Sequence, residues 1–434
     1  MKKVITYGTF DLFHKGHYNI LKRAKEYGDY LIVGVTGENY DIGRGKLNVH
    51  DSLATRIENV QKTGFVDEII VEEYLGQKIG DILKYGVDTF VIGDDWRGKF
   101  DHLSRYCNMV YLERTKGISS TQIREETFNQ YNIGIVCDFP NDNQIIKESQ
   151  FVNGFEVTNV YCEDNKVLDK FLEKYEVENT CENYSDLVEN SDIVYVRCEI
   201  SKRFSYIKKA LIAGKHVIYD PPATFKEQEL QELMDLAKQK KVILMNNIKM
   251  VHIHVFNQLL WMTQGGLIGD ILSFNCAISK NDVTRSNLFY DLSVYTLVPM
   301  LKIMGLDYEN FDCIVKKDGE NIEFASMNFA YPNSRAIITV GNKMRVDNQL
   351  EIVGTEGTIR MKNDWWRSRN FEIHTPDSTD VQVFNTNFDG NGFKYLLREL
   401  SNLLADNRID SRRIQEDELL EIIKILEQVR NSSD

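Results

Sequence analysis

The hydrophobic and polar positions fall into two alternating series and a third, different pattern. In the first series KVITYG reads as a buried strand and YNILKRAKEYG as an amphipathic helix with Ile20, Leu21 and Ala24 on one side. YLIVGV is a strand, SLATRIENVQKTG a helix, VDEIIVE a strand, IGDILKYG a short helix, and TFVIGDD and MVYLERT are strands. SSTQIREE opens with hydroxyls and continues with acids, as a helix start should. A second series runs from YNIGIVCDF through FEVTNVYCED, KVLDKFLEKY, YSDLVEN, DIVYVRC, FSYIKKALIAGK, HVIYDPP and KEQELQELMDLAKQKK to VILMNN. Continuous apolar strands between helices predict parallel sheets covered on both faces. After about residue 248 the pattern changes. SFNCAISK, NIEFASMNFAY, SRAIITVGN, NQLEIVGTEGTIRMK and NFEIHTP read as antiparallel strands, followed by the helices FKYLLRELSNLLADN and EDELLEIIKILEQVRN. Domains are therefore expected at 1–128, 129–248 and 249–434. The fold class is α/β: two doubly wound parallel-sheet domains, then a mostly antiparallel α+β domain.

Composition narrows the function classes. No stretch reaches the roughly 18 apolar residues that a membrane span needs. MKKVITYGTFDLF is too short in its apolar run for a signal peptide and reads as a first strand. Seven scattered cysteines without a C-x-x-C pair point to reduced thiols and a cytoplasmic location. Residues 1–129 hold 18 basic and 19 acidic side chains, leaving 34 and 46 for the rest. The acidic excess thus lies in the second part, and no basic nucleic-acid surface is expected.

GTFDLFHKGH, residues 8–17, follows the first strand and opens the first helix. Ligands of parallel α/β sheets sit at the carboxyl ends of strands, and helix N-termini there attract phosphates. Gly8 and Gly16 would let the backbone approach a ligand. His14 and His17, three apart, face one side of the first turn. Two imidazoles there can donate to phosphate oxygens and stabilise charge growing on phosphorus. A lone histidine would be read as an ordinary surface or core residue, but this ten-residue pattern at a strand–helix switch would not.

Residues 1–127 resemble the glycerol-3-phosphate cytidylyltransferases, within the H-x-G-H nucleotidylyltransferase superfamily. The likeness runs through KKVITYGTFDL, RAKEYGDYL, VDEII, IGDDWRGKFD and YLERTKGISSTQIREE. The second family signature, R-T-x-G-I-S-T-T, stands as RTKGISST at 114–121. The resemblance implies that CTP binds with Mg²⁺ and that the phosphate of a small polyol phosphate attacks the α-phosphorus, releasing pyrophosphate. His14, His17, Lys46 and Arg114 would be the catalytic residues. Thr9, Phe10, Asp11, Arg44, Arg56, Asp94, Thr115, Gly117, Ile118, Ser119 and Ser120 would bind CTP and phosphates, with no protein side chain assigned as a direct metal ligand. Two positions depart from the family: Ser120 replaces a threonine, and Gly64 stands where an arginine is usual.

Residues 131–434 resemble the Gfo/Idh/MocA oxidoreductases through ALIAGKHVIYDPPAT, NSDIVYVRC, GGLIGDI, DLSVYTLVPMLKIMG and VGTEGTIRM. The resemblance implies an NAD(P) site and hydride transfer at a sugar or polyol carbon. Three features oppose an active enzyme. GIVCDFPNDNQ lacks the glycine fingerprint. Pro221 occupies the lysine position of the family's E-K-P. The family's Asp and His appear as Asp291 and Tyr295, and a tyrosine relay needs a strong pKa shift. Glu163 or Asp164 would suit a ribose diol. His252 and His254 in VHIH alternate like strand residues and read as structural rather than as ligands. The second half is thus expected to serve assembly, stability or sensing; a reductase that makes the polyol phosphate is the alternative, and NAD(P) stays open. A homo-oligomer is expected, because both families commonly dimerise.

Overall fold

The computed structural model describes the chain except residues 44–45, 75, 114–127, 142, 281–286, 343–345, 377–378, 387–389 and 433–434. It comprises two compact units: Met1–Gln130 with Phe151–Gly154, and Tyr131–Gln150 with Phe155–Asp434.

The first unit is a five-stranded parallel sheet of β1 (Lys3–Gly8), β2 (Tyr30–Thr36), β3 (Glu68–Glu72), β4 (Thr89–Gly93) and β5 (Asn108–Leu112). The spatial order is β3-β2-β1-β4-β5. Its helices are α1 (Lys15–Lys25), α2 (Glu38–Gly43), α3 (Leu53–Gln61) and α4 (Gln77–Tyr85). Alternate strand residues feed opposite faces, which is why the strands read as unbroken apolar runs. Val4, Val33 and Val91 pack with Leu21 and Ala24 of α1 and Val60 of α3. Ile5, Ile32 and Phe90 pack with Ile82 of α4. The strand order reverses at β1, with β2 on one side and β4 on the other, so the stretch after Gly8 leaves the sheet at a topological switch point. Helix α2 was not visible in the sequence, because its six residues, ENYDIG, carry no apolar period. The helix expected from SSTQIREE lies outside the described residues.

The second unit starts with a six-stranded parallel sheet of β6 (Tyr131–Cys137), β7 (Phe155–Tyr161), β8 (Asn179–Thr180), β9 (Ile193–Arg197), β10 (His216–Tyr219) and β11 (Leu244–Asn246). Its order is β11-β10-β9-β6-β7-β8. Helices α5 (Gln144–Glu148), α6 (Asn165–Leu172), α7 (Tyr184–Glu189), α8 (Ile200–Ile212) and α9 (Glu227–Lys240) connect the strands. Gly134 lies inside β6 for packing: a Cβ there would meet the Ser191 hydroxyl at 2.2 Å and Leu187 at 2.9 Å.

After α10 (His254–Gln264) comes an eight-stranded sheet. Its strands are β12 (Ile271–Lys280), β13 (Asn310–Asp318), β14 (Asn321–Ala330), β15 (Arg335–Asn342), β16 (Gln349–Gly354), β17 (Thr358–Lys362), β18 (Asn370–His374) and β19 (Gln382–Asn385). The order is β13-β14-β15-β12-β16-β17-β18-β19. Helix α11 (Leu288–Met304), buried along most of its length, packs on the sheet, and α12 (Phe393–Ala405) and α13 (Glu416–Asn431) follow. The strands were expected in antiparallel order. One pair, β12 with β15, is parallel. NQLEIVGTEGTIRMK is a hairpin, not one strand, because the chain turns at Thr355–Gly357. The VHIH alternation is not a strand: Lys249–His252 is a 3₁₀ turn and His254 begins α10.

Candidate functional site

The chain leaves β1 through a loop whose backbone is held in an unfavourable shape. Phe10 and Leu12 have φ of 55° and 45°, the left-handed region that side chains rarely adopt. Such strain persists only where neighbours over-determine it. Arg56, fully buried on α3, donates to the carbonyls of Thr9 at 2.9 Å, Thr36 at 2.7 Å and Asp51 at 3.0 Å. Burial is the largest influence on its guanidinium and draws its pKa down, against the pull of Asp41 and Asp11. The buried Asp11 carboxylate accepts the backbone N–H groups of His50 at 2.9 Å and Asp51 at 2.8 Å. Asp51 in turn accepts the N–H of Leu12 at 2.9 Å. The two loops are therefore stitched in both directions.

This brace delivers His14 to the N-cap of α1. Its Nδ1 accepts the Gly16 N–H at 3.0 Å, so in the neutral ring the proton sits on Nε2. Gly16 is needed for that fit, since a Cβ would lie 2.7 Å from the His14 Cε1. The His17 ring stacks on His14 with centroids 4.0 Å apart and planes 20° apart. Phe10 and Phe13 flank His17, each with a centroid distance of 5.5 Å. Lys46 donates to the Thr9 hydroxyl at 2.6 Å, bringing an ammonium to the same loop. Asp94 opens a 3₁₀ turn at the carboxyl end of β4, the strand next to β1. These imidazoles and the ammonium can complement a polyanion at the first turn of a helix.

In the second unit the carboxyl ends of the strands form one row across the sheet. By register, Cys162, Cys137, Arg197, Asp220 and Asn247 stand side by side at or just past the ends of β7, β6, β9, β10 and β11. Asp220 accepts from Arg197 at 3.3 Å, Tyr195 at 2.7 Å and Asn247 at 2.9 Å. Burial pushes its carboxyl up, but Arg197 and Arg203 outweigh that and hold it at about 2. Lys202 bridges Asp138, at 3.3 Å, and Glu163. The buried Arg203 donates to the carbonyls of Cys198 and Pro222, both at 2.9 Å, and to the Asp291 carboxylate at 3.0 Å. The Tyr295 hydroxyl donates to the Asn247 carbonyl at 3.3 Å. Burial lowers the pKa of His252 to about 3.

Residues 5–126 match the cytidylyltransferase-like family. The glycerol-3-phosphate cytidylyltransferase of Bacillus spizizenii is 53% identical over 126 residues, which are 29% of this chain and 97% of that protein. The chain belongs to the cytidylyltransferase-like family. Residues 136–248 match an oxidoreductase family with an NAD-binding Rossmann fold. The dTDP-3,4-didehydro-2,6-dideoxy-alpha-D-glucose 3-reductase of Actinomadura kijaniata is 24% identical over 225 residues, 48% of this chain and 65% of that protein. A crystal structure of a 3-ketoreductase from the same organism, in complex with TDP-benzene and NADP, superposes with a TM-score of 0.62 at 20% identity. It covers 70% of this chain and 98% of that one, a likeness of fold.

Of the residues expected at the cytidylyltransferase site, the structure groups Thr9, Phe10, His14, His17 and Lys46 around one loop and helix start. Asp11 and Arg56 are turned inward to backbone partners instead of toward open space. Gly8 and Gly16 admit the protein's own Phe10 and His14 rings where ligand approach was expected. Arg44, Arg114, Thr115, Gly117, Ile118, Ser119 and Ser120 lie outside the described residues. Gly64 has φ +73°, so glycine is the residue this turn favours. Phe13 and Asp51 were not singled out in the sequence; Phe13 stands within the quoted stretch, while Asp51 gave no local signal.

Neither implied cofactor finds a prepared cage. Among the described residues no group of three or more His, Cys, Asp or Glu side chains is arranged to hold a metal. The residues of the Rossmann-like sheet do not fit a dinucleotide. The turn from β6 to α5 has no glycine, and α5 spans only five residues. Glu163, the carboxylate suited to a ribose, is already paired with Lys202. Asp291 is locked to Arg203, and Pro221 offers no titratable group. Arg203 was missed in the sequence, although its place in the buried stripe Ile200, Arg203, Ile207, Ala210 of α8 was a readable sign.

Proposed function

We propose that the first 128 residues join CTP to a small polyol phosphate, glycerol 3-phosphate by default, giving a CDP-alcohol and pyrophosphate. The geometry that supports this best is the His14–Gly16–His17 arrangement, with the His14 proton directed to Nε2. A phosphate oxygen of the acceptor attacks the α-phosphorus of CTP in line, and the bond to pyrophosphate breaks. The nucleophile is already ionised, so no general base is required. His14 and His17 donate to oxygens that gain charge, and Lys46 neutralises the phosphates with Arg44 and Arg114. Thr9 and Phe10 shape the site, Asp11 and Arg56 hold its loops, Asp94 faces the substrates, and Thr115, Gly117, Ile118, Ser119 and Ser120 cradle the triphosphate. The product suits a cytoplasmic pathway that feeds teichoic-acid or capsule polymers, and the working form is a homo-oligomer.

The test is pyrophosphate release from CTP across a panel of polyol phosphates. His14→Ala and His17→Ala should each abolish it; unchanged release in either variant would refute the reading.

The second half is inferred to be non-catalytic and to serve assembly, with functional boundaries near residues 128 and 248. Its support is the Arg203–Asp291 pair, which makes a structural tie of the carboxylate a reductase would use. The likeness to sugar 3-reductases favours a second reading, a reductase supplying the polyol phosphate. Titration with NADH and NADPH separates them: saturable nicotinamide fluorescence at micromolar cofactor supports the reductase, and none at millimolar cofactor supports assembly.

A further inference from the structure

The row of residues at the strand ends of the second unit contains two thiols on adjacent strands. Cys137 closes β6, and Cys162 follows β7. The pairing of Val136 with Tyr161 brings the next two residues, Cys137 and Cys162, level and onto the same face. Neighbouring strands lie about 4.8 Å apart, inside the roughly 4.4–6.8 Å between Cα atoms that a disulfide spans. On its other side Cys137 is in register with Arg197. Both thiols are buried, Cys162 retaining 5% exposure. In the reduced state Cys137 donates to the Phe139 carbonyl at 2.8 Å.

We propose that Cys137 and Cys162 form an oxidation-sensitive dithiol, a modification site in which Cys137 reacts with a hydroperoxide and Cys162 resolves it. The Cys137 thiolate attacks one peroxide oxygen and the O–O bond breaks, giving a sulfenic acid and hydroxide. The Cys162 thiol then attacks that sulfur, its proton leaving with the displaced oxygen as water, and the disulfide forms. In total two thiols lose two electrons and two protons, and one hydrogen peroxide becomes two waters.

The environments divide the roles. The Cys162 S–H bond to Cys137 and the Arg197 charge lower the Cys137 pKa against the effect of burial. The bond to Cys137 and burial raise that of Cys162. Burial raises Cys107, Cys181, Cys198 and Cys276 as well, so Cys137 stands apart from them.

The experiment is peroxide treatment of the full chain, alkylation of remaining thiols and peptide mapping. The linked Cys137–Cys162 peptide should form about tenfold faster than any other oxidised species. Cys162→Ser should leave Cys137 as a sulfenic acid that dimedone traps, and Cys137→Ser should leave Cys162 unmodified. A second probe needs no substitution: phenylarsine oxide, which bridges neighbouring thiols, should be retained at one equivalent and block both cysteines. The proposal is overturned if both thiols stay alkylatable after peroxide, if linkages scatter over the other five cysteines, or if the arsenical protects neither residue.

Discussion

Gly16→Ala isolates the part of the site that the geometry describes most sharply. The added Cβ would stand 2.7 Å from His14 Cε1 and 2.9 Å from Nδ1. The ring must retreat by about 0.7 Å to reach the 3.4 Å of ordinary contact. That movement breaks the Gly16 N–H bond to Nδ1 and the alignment with His17. Displacing one donor to a charge-gathering phosphate costs about 10²–10³ in rate, or about 3–4 kcal/mol of barrier. Stability moves little. Alanine gains up to about 1 kcal/mol of helix preference over glycine, and the lost hydrogen bond removes about as much. The assay is kcat for pyrophosphate release beside a thermal melt, with a midpoint expected within about 3 °C of wild type. The double variant Gly16→Ala/His14→Ala should be no slower than His14→Ala, because both act through one ring. Wild-type kcat in a folded Gly16→Ala protein would refute the argument, as would additive losses in the double variant.

Arg56→Met should destabilise the first unit by about 3–5 kcal/mol, read from urea unfolding, because it strips three carbonyls and the Asp41 carboxylate of their cation. Lys46→Ala should lower kcat/KM for CTP by about 10²-fold while leaving the melt unchanged, the signature of a group that meets phosphate. Asp291→Asn should leave pyrophosphate release untouched but lower the unfolding free energy of the second unit by about 3 kcal/mol, read from urea unfolding, for breaking a buried pair. The carboxyl of Asp220 titrates at about 2 when folded against 3.8 otherwise. Its contribution, about 2 kcal/mol, is fully present above pH 4 and lost as pH falls through 2. Asp220→Asn should flatten that acid limb of the stability curve; an unchanged limb would assign it to other carboxylates.

Long apolar periods made the parallel sheets and their helices legible, since KVITYG and YLIVGV bury both faces and leave no other reading. The histidine pair stood out because residue type, spacing and a strand–helix switch coincide, and the structure stacks the two rings. Arg56 was expected to bind CTP and phosphates, and the structure folds it onto backbone carbonyls. A sequence does not distinguish an arginine that reaches outward from one folded back onto three carbonyls, and only the tertiary path of residues 9, 36 and 51 decides it. The same holds for VHIH, where a period of two over four residues is too short to separate a strand from a 3₁₀ turn. The parallel β12–β15 pair was invisible because pairing direction depends on the whole connection between two strands.

That pair also divides the sheet into two runs of local contacts. β13, β14 and β15 form one run of sequence-adjacent antiparallel strands, and β16 to β19 form another. Each can zip from its own turns, with little chain entropy lost per contact. Neither run touches the other in the finished sheet; β12, made before both, lies between them. The eight strands therefore become one sheet only when β12, the first of them along the chain, is paired on both sides, so residues 271–280 are the one seam through which the two runs are joined.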